Sequence, residues 1–166
     1  MPNAEAFRAP VLDRAAAVAF REALRARGQR VVFTNGCFDV VHGGHTAYLA
    51  WARAQGDALI VGLNGDASVR ALKGEQRPFV PFAGRAGVLA ALRSVDAVVG
   101  FDESTPVELL AALKPDVHVK SAQYRIEELP ERYVVESHGG RIVLAPHEAG
   151  KSTTDIVARV RSAQRA

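Results

Sequence analysis

Short runs of apolar, mostly β-branched residues alternate along this chain with longer segments whose apolar residues recur at helical spacing. The runs predict strands at residues 31–34, 58–63, 97–101, 117–120 and 141–144. Helical spacing covers residues 12–27, 46–55, 84–92, 106–113, 129–137 and 153–163. Strands that alternate with helices form βαβ units with right-handed crossovers. The pattern therefore predicts an α/β fold, namely a Rossmann-like, doubly wound sheet of about five parallel strands flanked by helices.

The length of 166 residues suits one domain with one core. We expect residues 1–166 to form a single domain, with residues 1–27 as an N-terminal helical extension and a core at about residues 28–160. Hydrophobic residues make up 48% of the chain and charged residues 23%, which is typical of soluble globular domains.

Charge and residue distribution exclude several classes of partner. The net charge of +3 is small, and no basic run interleaved with aromatic residues indicates binding to nucleic acid. No apolar run approaches the roughly 20 residues that span a bilayer, and the first residues lack the pattern of a signal peptide. A single cysteine, Cys37, cannot form an internal disulfide. We therefore expect a cytoplasmic, enzyme-sized domain that binds neither nucleic acid nor membrane.

Two histidines three residues apart, His42 and His45, follow the first predicted strand after a glycine turn at residues 34–39. We predict a loop through both histidines and a helix from Thr46. A strand, a turn and a helix place backbone N–H groups and the positive end of the helix beside one pocket, where imidazoles can donate to phosphate oxygens. Two surface histidines in a capped turn are the simpler interpretation, but three glycines here leave room for a ligand to approach the backbone.

Zinc binding by the two histidines is a further interpretation. No third ligand occurs at a useful spacing, so no metal-binding residue is predicted. Asp39, which precedes the pair, could hold the loop or orient a histidine, and the sequence leaves both roles open.

Residues 145–152 near the end of the chain match a phosphate-binding P-loop except for its first glycine. A P-loop normally opens its fold and needs a later strand with a magnesium-binding aspartate, whereas the residues after Ser152 suffice for one helix only. Ser152 and Asp155 instead match a capping box. That cap leaves the hydroxyls of Thr153 and Thr154 and free backbone N–H groups at a helix start, where a polyphosphate can bind.

Two further polar groups follow predicted strands. The group after the second strand contains Lys73, Arg77 and Arg85. The group at the end of the fourth strand contains Lys120, Gln123 and Tyr124. Charged loops are usually solvated, but parallel sheets bind ligands beyond the carboxyl ends of their strands, so the second group would face the same crevice as the histidines.

The His-x-Gly-His motif at residues 42–45 and the Ser-Thr-Thr motif at residues 152–154 together resemble the cytidylyltransferase-like nucleotidyltransferase superfamily. More of the chain is similar to one branch, the D-glycero-β-D-manno-heptose 1-phosphate adenylyltransferases, also called ADP-heptose synthases. The similar segments are residues 33–39, 62–66, 72–74, 77–78 and 95–99. The resemblance extends from about residue 28 to residue 160.

This resemblance implies transfer of AMP from ATP to a sugar 1-phosphate, with release of pyrophosphate. It implies catalytic roles for His42, His45 and Lys73. It implies nucleotide binding by Thr34, Asn35, Gly36, Cys37, Phe38, Asn64, Asp66, Ser152, Thr153 and Thr154. It implies substrate binding by Asp39, Arg77, Arg85, Lys120, Gln123 and Tyr124. The implied cofactor is Mg²⁺, bound mainly through substrate phosphates.

One segment departs from that branch. The branch commonly has Lys-Gly-Gly-Asp-Tyr where this chain has Lys120-Ser121-Ala122-Gln123-Tyr124, so a carboxylate is lost.

Two alternatives stay open: a CTP-dependent enzyme for glycerol 3-phosphate or phosphoethanolamine, and a nucleotide-binding module without catalysis. The implied partners are ATP, a phosphosugar, a second copy in a homodimer, and a separate sugar kinase in the same pathway.

Overall fold

The computed structural model describes residues 4–146 and 153–163. Within them, six strands form one sheet: β1 (Val11–Leu12), β2 (Val31–Gly36), β3 (Ala58–Asn64), β4 (Ala97–Phe101), β5 (Val117–Ser121) and β6 (Arg141–Ala145). Seven α-helices lie within the same residues: α1 (Arg14–Ala26), α2 (Gly43–Arg53), α3 (Asp66–Lys73), α4 (Phe82–Ala90), α5 (Val107–Leu113), α6 (Arg132–Ser137) and α7 (Thr153–Ala163). None of them is both long enough and apolar enough to cross a bilayer.

All strand pairs are parallel, in the order β1-β4-β3-β2-β5-β6. The chain passes outward from β2 through β3 to β4 and then returns to β5 on the other side of β2. The topological switch point therefore lies between β2 and β5, where Thr34 pairs with Val119. Doubly wound sheets bind their ligands in the crevice beyond the carboxyl ends of such strands.

Helices cover both faces of the sheet. Leu49 of α2 and Leu89 of α4 are buried against one face. Leu24 of α1, Leu110 of α5 and Val135 of α6 are buried against the other. Because both faces are covered, the central strands β3 and β4 consist almost entirely of apolar residues. The predicted Rossmann-like, doubly wound α/β fold is confirmed.

Three aspartates bind backbone N–H groups at the amino ends of the central strands. Asp57 accepts from the N–H of Arg30, Asp116 from that of Val31, and Asp96 from that of Leu59, each at 2.7 Å. Each aspartate immediately precedes one strand and caps its neighbour, so these carboxylates satisfy backbone donors at the amino edge.

Strand β1 adds a sixth strand to the five that the sequence displays. Residues 11 and 12 pair with Val98 and Val99 of β4 and make the sheet six-stranded. Two residues are too few to show the period of a strand, so the sequence displays only the helix that follows. The segment before residue 28 is thus more than a helical extension, because it supplies one edge of the sheet.

Helix α3 is absent from the helices that the sequence predicts. It runs from Asp66 to Lys73, and its buried residues are Ser68 and Val69. Because so few of its residues are buried, the segment is mostly polar and shows little apolar periodicity in the sequence. The helix places Lys73 in its last turn, beyond the carboxyl end of β3.

Gly62 in β3 tests how closely the sheet is packed at its centre. A Cβ atom at this position would lie 2.6 Å from Cζ of the fully buried Phe33 ring. We expect Gly62→Ala to lower the free energy of unfolding by about 1–3 kcal/mol, measured by urea denaturation, because the ring has no free space to move into. Gly87→Ala is the control, since a Cβ in this α4 position meets nothing within 4 Å. Equal stability of the two variants would contradict the prediction.

Candidate active site

His42 is the N-cap of α2. Its Nδ1 accepts a hydrogen bond from the backbone N–H of Gly44 at 3.1 Å. The helix therefore begins at Gly43, before the predicted start at Thr46, and His45 lies in its first turn. Because Nδ1 is an acceptor, the neutral ring carries its proton on Nε2 and can donate it to a ligand.

His45 packs between His42 and Phe38. The two imidazole centroids are 4.0 Å apart, and the Phe38 ring centroid lies 5.3 Å from that of His45. Burial is the main cause that lowers the pKa of His45 to about 4, and the adjacent His42 ring and the positive charge of Lys73 act in the same direction. The ring is therefore neutral at physiological pH. Its Nδ1 is buried and has no hydrogen-bond partner within the described part of the chain.

The turn that delivers the histidines depends on an unusual backbone conformation. Phe38 has φ of 44°, in the left-handed region that non-glycine residues seldom adopt, while its side chain is buried. A Cβ on Gly36 would lie 3.0 Å from the Phe38 ring, so this position favours glycine. The turn redirects the chain from the end of β2 to the start of α2.

Asp39 holds a neighbouring loop. Its buried carboxylate accepts from Nη1 of Arg77 at 2.6 Å and from the backbone N–H groups of Phe79 and Val80 at 2.7 and 3.0 Å. Burial opposes ionisation, but these donors lower the pKa of Asp39 below its usual value. Of the two roles left open by the sequence, the structure gives Asp39 loop holding, with Arg77 as its partner. Direct binding of substrate by Asp39 stays a prediction.

Arg85 also joins segments of the protein, and its expected contact with substrate stays a prediction. Its guanidinium is buried and donates to the carbonyls of Val80, Cys37 and Asn64 at 2.9, 2.7 and 2.8 Å. Its Nη2 also lies 2.6 Å from Oδ1 of Asp66 in the first turn of α3. One side chain thus joins the turn after β2, the end of β3 and the starts of α3 and α4.

Two predicted nucleotide-binding side chains face inward instead. Thr34 is fully buried, and its Oγ1 lies 2.7 Å from the hydroxyl of Tyr48 and 3.0 Å from the carbonyl oxygen of Val119. Buried Asn64 donates from Nδ2 to Oγ of Ser68 at 2.9 Å. Thr34 therefore joins β2 to α2 and β5, and Asn64 joins β3 to α3.

Other predicted residues remain accessible near the histidines. Asn35, Gly36 and Cys37 are half-buried at the end of β2, and Oδ1 of Asn35 is a buried atom with no partner among residues 4–146 and 153–163. Burial is the main cause that raises the pKa of the Cys37 thiol, which therefore stays protonated. Lys73 is exposed, and its charge acts on both Cys37 and His45. These groups form one cluster with the imidazoles.

The group at the end of β5 contains an ion pair that sequence reasoning missed. Nζ of Lys120 lies 2.9 Å from Oε1 of Glu131 and 4.7 Å from the ring centroid of Tyr124. The same Oε1 lies 3.3 Å from Nε2 of His118. Gln123 and Tyr124 are exposed in the turn that follows. Glu131 gives no signal in the sequence, because a glutamate near a helix start is ordinarily a solvated cap residue.

The ion pair of Glu131 makes the free energy of unfolding depend on pH. Burial opposes ionisation, but the hydrogen bond from His118 and the charge of Lys120 lower the pKa from 4.5 to about 2. The contribution of Glu131 is therefore complete above about pH 4.5 and is lost as pH falls toward 2. We expect the difference in unfolding free energy between wild type and Glu131→Gln to shrink over this interval in urea denaturation. A difference that is constant over the interval would contradict the prediction.

The predicted hydroxyl cluster falls largely outside the described residues. Ser152 lies outside them, as do the side chains of Thr153 and Thr154, whose backbones begin α7. Their binding to phosphate stays a prediction. No group of three His, Cys, Asp or Glu residues is placed to hold a metal ion in the part of the chain that the structure covers.

A model of the cytidylyltransferase-like family matches residues 33–159, from β2 into α7. The chain belongs to the cytidylyltransferase-like family. The match includes the histidine turn, the Lys120 segment and the beginning of the last helix. The carboxyl edge between β2 and β5 is therefore the candidate active site of this cytidylyltransferase-like domain.

Curated relatives of this family member include proteins named bifunctional protein HldE. The chain is 55% identical over 139 residues to that of Pelobacter propionicus, covering 84% of the chain and 28% of the relative. It is 54% identical over 153 residues to that of Gluconacetobacter diazotrophicus, covering 92% and 32%. The chain thus spans roughly a third of the length of the curated relatives it matches.

Solved structures share the cytidylyltransferase-like fold at low sequence identity. A lipopolysaccharide core biosynthesis protein from Thermoplasma volcanium GSS1 has a TM-score of 0.61 at 22% identity and covers 73% of this chain and 100% of its own. Pantoate-beta-alanine ligase from Francisella tularensis has a TM-score of 0.59 at 12% identity and covers 96% and 80%. These likenesses concern the fold alone.

Proposed function

We propose that this chain transfers AMP from ATP to a sugar 1-phosphate, D-glycero-β-D-manno-heptose 1-phosphate, and releases pyrophosphate. The observation that carries the proposal is the stacked pair of His42 and His45 at the switch point of a cytidylyltransferase-like domain. The 52–55% identity to proteins named HldE supports the heptose branch. Because those relatives are called bifunctional and the chain matches a third of their length, nucleotidyl transfer would be one of their two activities.

The chemistry needs little more than positioning and charge neutralisation. An ionised phosphate oxygen of the acceptor attacks the α-phosphate of ATP, a new P–O bond forms, and the bond to the β-phosphate breaks as pyrophosphate leaves. No general base is required because the nucleophile is already ionised. Nε2–H of His42 and the neutral ring of His45 would donate to phosphate oxygens, and Lys73 would bring a mobile positive charge from α3.

Magnesium would neutralise phosphate charge when bound. Two carboxylates at the carboxyl edge, Asp39 and Asp66, already pair with Arg77 and Arg85. These residues therefore suit an ion held mainly by substrate phosphates and water.

The acceptor would bind toward β5. Lys120 carries the positive charge there, and the exposed side chains of Gln123 and Tyr124 would contact the sugar. A sugar kinase, which makes the phosphate ester, would supply this acceptor. The homodimer remains a prediction.

Pyrophosphate release from purified protein tests the proposal. ATP and CTP are each paired with heptose 1-phosphate, glycerol 3-phosphate and phosphoethanolamine. We expect release with ATP and heptose 1-phosphate, at least tenfold faster than with any other pair. Faster release with CTP would establish the cytidylyltransferase alternative instead. ATP binding without release under any acceptor would establish the non-catalytic nucleotide-binding module.

A further inference from the structure

A buried carboxylate contacts the lysine at the end of β5. Glu131, the residue before α6, is 1% exposed, and one of its oxygens contacts both Lys120 and His118. His118 is itself fully buried, with Nδ1 3.3 Å from the carbonyl oxygen of Phe33 in β2. The neutral ring has one N–H, which Nε2 donates to the carboxylate, and burial against Phe33 of β2 keeps the ring in place.

A buried ion pair contributes little to the free energy of unfolding compared with apolar residues of similar size. Removing two charges from water is unfavourable, and apolar replacements of similar volume often leave proteins equally stable or more stable. Leu129 and Val135, which flank Glu131 in sequence, are buried apolar residues. What the pair adds is a fixed place for the ammonium of Lys120, whose side chain is 11% exposed.

The fixed position of the Lys120 ammonium lies at the crevice beyond the carboxyl ends of the strands. His118 and Lys120 alternate with Val119 along β5, so they share one face of the sheet. Val119 contributes to the core on the α2 face, and Val135 of α6 belongs to the core on the other face. An anion lying across the carboxyl edge between β2 and β5 would thus meet the histidines from the α2 face and Lys120 from the α6 face.

We infer that Glu131 is a positioning residue, which holds the Lys120 ammonium against a substrate phosphate, while His118 holds Glu131. The inference rests on the proposed function, because that function supplies the phosphate. Two substrates carry a phosphate that the Lys120 ammonium can bind, namely ATP and the acceptor. Separate kinetic titrations of the two substrates distinguish them.

Four variants test the inference: Glu131→Gln, Lys120→Met, the double variant, and Glu136→Gln. Glu136 is the matched control, because it lies in α6, pairs with Nε of Arg132 at 2.9 Å and is exposed. We expect the two single variants at 131 and 120 to raise KM roughly tenfold or more for the same substrate, since small misplacements of a positioning group weaken its contacts strongly. The double variant should match Lys120→Met alone, and Glu136→Gln should match wild type.

Several outcomes would overturn the inference. It fails if Glu131→Gln keeps both KM values, if it lowers only kcat in parallel with melting temperature, or if the losses multiply in the double variant. A wild-type protein that releases no pyrophosphate would refute the proposed function separately. Calorimetric titration of the same variants with ATP and with heptose 1-phosphate then decides the inference, which is refuted if neither ligand binds more weakly to Glu131→Gln.

Discussion

His45→Ala is expected to lower kcat for pyrophosphate release by about a hundredfold, because loss of one donor at a developing phosphate charge costs about 3 kcal/mol of barrier. His45 gives a cleaner test than His42, whose Nδ1 also caps α2. The measurement is steady-state turnover with ATP and heptose 1-phosphate, accompanied by the melting temperature.

His138→Ala is the control for this substitution. Nε2 of His138 contacts the carbonyl oxygen of Pro115, at the amino end of β5 and away from the crevice. We expect this variant to turn over like wild type. His45→Asn and His45→Gln would show which ring nitrogen donates, since their amides approximate Nδ1 and Nε2 respectively. Near-full turnover of His45→Ala would remove the proposed role of the imidazole.

Arg85→Met is expected to lower the free energy of unfolding by about 3–5 kcal/mol, because it leaves the Asp66 carboxylate without its cation and three carbonyl oxygens without a donor. Urea denaturation measures this loss. Arg85→Lys should recover only part of it, since one ammonium cannot reach acceptors in three segments.

Arg70→Met is the matched control for Arg85, because Arg70 lies in α3 and is exposed. Its stability should stay within about 0.5 kcal/mol of wild type. If Arg85→Met were no less stable than Arg70→Met, the guanidinium would not hold these segments together. That outcome would leave substrate binding as the role expected of Arg85.

The sequence predicts this fold well because its central strands are buried on both faces. A continuous apolar run such as residues 58–63 predicts a strand that is covered on both faces. Strand β3 ends within one residue of that prediction. The histidine turn is equally visible, since few other structures need such closely spaced glycines and histidines. Strand β1 stays hidden because two residues carry no period.

The direction of polar side chains could not be predicted. Residue type identifies Thr34, Asn64 and Arg85 as hydrogen-bonding groups, but only the packed structure decides whether a partner is a ligand or the protein itself. All three are buried and satisfied internally. Glu131 illustrates the converse, because the chain folds back after β5 to bring it to Lys120, and no regular spacing in the sequence predicts that contact.

The two-residue strand β1 has a consequence for the solution behaviour of shortened chains. It covers β4, where Val98 and Val99 are fully buried and the N–H of Val98 donates to the carbonyl of Pro10. A chain that began after Leu12 would leave the unpaired backbone of an apolar strand open to water. Such a strand can pair with its counterpart in another molecule, so truncation at this point would favour aggregation even though every residue of the crevice is retained.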